Sequence, residues 1–118
     1  MFLHIKDVLT PEEITFFRQA LGPQAPWIEG ARSAGGQAIH QKNNLQLAQG
    51  SELSAQLQTM VKAALHRNAL FFSAALPRRI YNPLFNNYGD GANFYGNHVD
   101  RAVMHSKADG CWVRSDLS

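Results

Sequence analysis

The stretch Tyr88-Gly-Asp-Gly-Ala-Asn-Phe-Tyr95-Gly-Asn-His98-Val-Asp100 places an imidazole and a carboxylate two residues apart, just past a glycine-rich turn. Side chains alternate faces along a β-strand. In extended backbone His98 and Asp100 therefore leave the same side, with Cα atoms roughly 7 Å apart at about 3.3 Å rise per residue, and both reach one metal ion. On a helix the same spacing sends them to nearly opposite sides, so the pair chelates only if the segment is extended. Tyr95, Val99 and Val103 suit a strand. Imidazole nitrogen with carboxylate oxygen is the ligand mixture of two-His-one-carboxylate sites, which hold non-haem Fe(II) by one face and leave the remaining positions open. Such a site needs a third ligand. A bare His-x-Asp also arises by chance, as a surface histidine beside a strand-end aspartate.

The wider context narrows the choice. Tyr88, Gly91, Tyr95, His98 and Asp100 form Y-x-x-G-x-x-x-Y-x-x-H-x-D. This pattern resembles the iron- and 2-oxoglutarate-dependent dioxygenases of the prolyl/lysyl hydroxylase branch. Lys42-Asn43-Asn44, the run from Ala69 to Pro77, Pro83-Leu-Phe-Asn86 and the ending from Trp112 to Ser118 are similar to bacterial PKHD-type hydroxylases associated with iron uptake. The resemblance runs through nearly the whole chain. It implies that His98 and Asp100 are two of three iron ligands and that Tyr88 hydrogen-bonds the cosubstrate 2-oxoglutarate. It further implies O2-dependent hydroxylation of a peptide or small-molecule substrate, with Fe(II), 2-oxoglutarate and L-ascorbate as cofactors.

Members of that family carry a second ligand histidine far downstream, followed by an arginine that pairs with the distal carboxylate of 2-oxoglutarate. This sequence ends before either position. The resemblance therefore implies the front part of a dioxygenase, inactive alone, whose fold is α+β: N-terminal helices packed on the first strands of a jelly-roll or cupin-like double-stranded β-helix. A half-built sheet exposes an apolar face and unpaired edges, which favours self-association. The alternative is a non-catalytic module serving in protein interaction or assembly. A zinc hydrolase fits less well, because the His-rich helical motif of that class is absent.

Bulk properties set the outer bounds. A chain of 118 residues allows one domain, residues 1–118, with a modest core, and 45% hydrophobic content is ordinary for a globular protein. Eleven basic and nine acidic residues leave a net charge of +2 with the basic residues scattered, so neither nucleic acid nor an anionic membrane is an expected partner. The lone Cys111 excludes an internal disulfide and reads as a semi-buried small hydrophobe in a reducing compartment. Met1 to Asp7 lacks a signal-peptide pattern, so the expected location is the cytoplasm.

Phe2 to Val8 alternates as a short strand does. Thr10-Pro11-Glu12-Glu13 then opens a helix, with Thr10 as N-cap, Pro11 in the first turn and Glu13 completing a capping box. Leu9 and Ile14 form a hydrophobic staple, Ile14, Phe17, Ala20 and Leu21 make the buried stripe, and Gly22-Pro23 stops the helix. Trp27-Ile28 begins a strand and Ser33 to Gly36 is a turn. Lys42, Asn43 and Asn44 read as loop residues, with substrate contact as the alternative. Ser51 caps a second helix whose Leu53, Leu57, Met60, Val61, Ala64 and Leu65 recur at helical period, with His66 and Arg67 at its negative pole. Leu70 to Leu76 either finishes that helix or lines the core, and Pro77 ends it. Arg78 to Asn87 alternates as a strand leading into the motif; beyond it His105 to Gly110 reads as a loop and Trp112 to Ser118 as a strand.

Four other histidines deserve comparison with the missing ligand. His105 is nearest, but a facial triad draws its last ligand from a distant strand. His4, His40 and His66 fit a strand surface, a loop and a helix C-terminus. Arg101, Arg114 and Asp116 fit solvated strand ends, and Arg114 does not replace the family arginine.

Overall fold

In the computed structural model, residues 2–30, 42–89, 94–95, 103–106 and 109–115 are described. The chain divides into two compact units, residues 1–28 with 45–87, and residues 29–44 with 88–118. The architecture is α+β, with helices and small antiparallel pairings.

In the first unit, α1 (Pro11–Ala20) starts where the sequence predicts. Thr10 Oγ1 accepts from Glu13 N at 3.2 Å, and Glu13 Oε1 accepts from Thr10 N at 2.8 Å, so two orphan donors of the first turn are satisfied reciprocally. Phe17 is buried and Ala20 and Leu21 pack beside it, but Ile14 remains 41% exposed. The buried stripe is thus narrower than the periodicity predicts.

Helix α2 (Glu52–Arg67) is capped by Ser51, whose hydroxyl accepts from Ser54 N at 3.1 Å and donates to Ala48 O at 2.7 Å. Leu57 and Ala64 are fully buried, and Leu53, Met60 and Val61 pack around the cluster of Phe17, Ala25, Leu47 and Leu57. The apolar stripe is core, as its period indicates. Asn68 ends α2 and caps α3 (Ala69–Ala75), its Oδ1 accepting from Phe71 N at 2.9 Å. The run after Arg67 is therefore a separate short helix, and none of its residues is buried. Leu76 closes it in the left-handed region at φ 45°.

A three-stranded sheet of β1 (Trp27–Glu29), β3 (Leu45–Leu47) and β4 (Asn86–Asn87) has the order β1-β3-β4; β2 (Lys42–Asn43) precedes β3 in the chain. β3 and β4 run antiparallel, with Leu45 opposite Asn87 and Gln46 opposite Asn86, and Leu47 N continues the ladder to Phe85 O at 2.9 Å. Phe85 meets Phe17 with ring centroids 6.1 Å apart. The predicted strand from Arg78 is confined to Asn86–Asn87. The residues before it are instead tied to α2 by side chains: Gln58 Nε2 donates to Pro83 O at 3.2 Å and Lys62 Nζ to Asn82 Oδ1.

The predicted strand at Phe2 to Val8 does not form. Phe2 is fully exposed, Asp7 turns into positive φ at 55°, and the Val8 carbonyl accepts from Arg67 instead of a sheet partner.

In the second unit, β2 pairs antiparallel with β5 (Phe94–Tyr95), and Gly30 N donates to Asn44 O at 2.8 Å. β6 (Val103–Ser106) and β7 (Cys111–Arg114) form a hairpin from Val103 opposite Arg114 to Ser106 opposite Cys111. Its turn is closed by Gly110, at φ 65°, donating to Ser106 O at 2.8 Å; Ser106 Oγ donates to Asp109 Oδ2 at 2.6 Å. The predicted loop from His105 is correspondingly shorter, because His105 and Ser106 belong to the strand. Cys111 is exposed rather than semi-buried. Among the described residues, no helix is long and apolar enough to cross a membrane.

Candidate functional site

The described part of the candidate site begins at the end of β4. Tyr88 follows directly after Asn87 and is 42% exposed, in a second unit that also contains β2, β5 and the hairpin. A tyrosine at the exit of a strand can offer a phenol to a bound anion. Six residues on, Phe94 and Tyr95 are extended as the motif requires. Their register sets Tyr95 opposite Lys42 and Phe94 opposite Asn43.

This pairing corrects the loop expectation for the Lys42-Asn43-Asn44 run. Lys42 and Asn43 form a strand, and Asn44 is buried. The reason is tertiary: a two-residue strand has almost no local signature, and its ladder partner lies about fifty residues away in sequence. Gly30 explains part of the tightness here. A Cβ at that position would overlap the Asn44 side chain and sit 2.9 Å from its backbone carbonyl oxygen.

His98 and Asp100, the expected metal ligands, lie outside the described residues, as do His40, Arg101 and Asp116. The described histidines have other surroundings. His4 is exposed on the segment before α1. His66 lies against Phe72, with ring centroids 5.3 Å apart, and His105 stands edge-on to Trp112 at 5.4 Å and 77°. Arg114 sits exposed on β7. Among the described residues, no group of three or more His, Cys, Asp and Glu side chains is arranged to hold a metal.

One carboxyl of the first unit is strongly perturbed. The Arg67 guanidinium, followed by the Thr10 backbone N–H, pulls the Glu13 carboxyl from 4.5 down to about 2. Sequence reading assigned Glu13 to the cap and Arg67 to the helix dipole without pairing them, since 54 residues separate the two.

No family model matches the chain. Individual proteins do. The chain is 48% identical over all 118 residues to a PKHD-type hydroxylase of Variovorax paradoxus, and 46% identical to one of Aliarcobacter butzleri. It is also 46% identical to the PKHD-type hydroxylase YbiX of Escherichia coli. In each case the whole chain aligns, and it spans about half of the relative's length, 51% in all three. Along its whole length, the chain is a homologue of the PKHD-type hydroxylases.

Proposed function

We propose that this chain is part of an Fe(II)- and 2-oxoglutarate-dependent dioxygenase that hydroxylates a C–H bond of its substrate with O2. The observation that carries the reading is the 43–48% identity, across all 118 residues, to proteins named PKHD-type hydroxylases. The stretch from Tyr88 to Asp100 supplies the chemistry such a name calls for.

The donor set fits the metal. Neutral imidazole and carboxylate are the borderline and hard ligands that suit Fe(II), and the spacing of His98 and Asp100 would let both reach one ion from extended backbone. Fe(II), when bound with 2-oxoglutarate, would supply the oxidising power for hydroxylation by O2. This chain's own residues hold the metal's face and place the cosubstrate. The Tyr88 hydroxyl donates a hydrogen bond to a 2-oxoglutarate carboxylate, a charge-assisted contact stronger than a neutral one. A third ligand and a cation for the distal carboxylate come from residues beyond this stretch. In this reading the strands belong to a double-stranded β-helix, ascorbate is a further cofactor and the activity is associated with iron supply.

An anaerobic Mn(II) titration of the longer protein that carries this stretch together with the third ligand, followed by electron paramagnetic resonance, tests the assignment. His98→Ala and Asp100→Ala should each weaken binding at least about tenfold, equivalent to about 1.4 kcal/mol, while His105→Ala leaves it unchanged. Equal binding by the parent protein and both ligand variants would overturn it.

A further inference from the structure

We draw no further inference here: the strongest candidate, the apolar surface that α3 and its cap present through Leu70 and Leu76, is an unpartnered helix face, and nothing in the structure shows what covers it.

Discussion

Arg67, the last residue of α2, grips both carboxylate oxygens of Glu13 in the first turn of α1, and its Nη2 also donates to Val8 O at 3.1 Å. Since Glu13 is itself the reciprocal member of the Thr10 capping box, one arginine secures the start of α1 and the segment entering it. The Glu13 carboxyl, at about 2, lies below its ordinary 4.5, so the unfolded chain takes up this proton more readily than the folded one. The pair's contribution to stability is therefore complete above the ordinary glutamate range and is lost as pH falls through the folded value. The difference in thermal midpoint between the parent chain and Glu13→Gln should be constant near neutrality and should close on acidification from about 4.5 to about 2. Because both side chains touch solvent, the difference should be small and should shrink with added salt. A gap that persists unchanged at the acid end would refute the assignment.

Burial decides the next expectation. Leu57 is wholly enclosed at the centre of the first unit, whereas Leu70 on α3 is 49% exposed. Leu57→Ala should cost about 2–5 kcal/mol in urea unfolding through lost transfer energy and the cavity left behind. Leu70→Ala, at a surface position, should stay within about 0.5 kcal/mol. Similar losses in the two variants would mean that α3 is covered in solution.

The cap of α2 separates two roles of one hydroxyl. Ser51→Ala removes both the acceptor for Ser54 N and the donor to Ala48 O, and should cost about 1 kcal/mol. Ser51→Asp keeps the acceptor and adds a charge that favours the helix N-terminus, so most of the loss should be recovered. Equal midpoints for the alanine and aspartate variants would show that the Ala48 contact, not the cap, carries the effect.

Gly30 tests the second unit. Its added methyl in Gly30→Ala meets the Asn44 side chain and carbonyl, so overpacking should destabilise by about 1–3 kcal/mol. The same change should speed hydrogen exchange at the Gly30 amide, which donates to Asn44 O. An unaltered exchange rate would count against that close approach.

Tyr88→Phe removes a hydroxyl and little else. If the phenol binds 2-oxoglutarate, the cosubstrate concentration needed to perturb the Mn(II) spectrum should rise roughly tenfold or more, as for loss of a hydrogen bond to a charged group. Mn(II) affinity without 2-oxoglutarate should not change. An unchanged 2-oxoglutarate dependence would leave Tyr88 a packing residue.

Local chemistry by itself determined where α1 and α2 begin, which face of α2 is buried and where extended structure enters the motif. Thr10, Glu13 and Ser51 satisfy orphan amides within three residues, and the stripe from Leu53 to Ala64 repeats at a period only a helix can place on one face. The imidazole-carboxylate pair at His98 and Asp100 is a reading of spacing and donor type alone, and both residues lie outside the described ones. Only the tertiary structure decided what lies far apart in the chain. It turned Lys42-Asn43 into a strand by pairing it with Phe94-Tyr95, left Phe2 to Val8 without a ladder and confined the strand after Arg78 to Asn86-Asn87. It also joined Glu13 to Arg67. Short strands gain their stability from backbone groups supplied by a partner, and a long-range ion pair needs two elements already packed, so neither leaves a periodic mark in sequence.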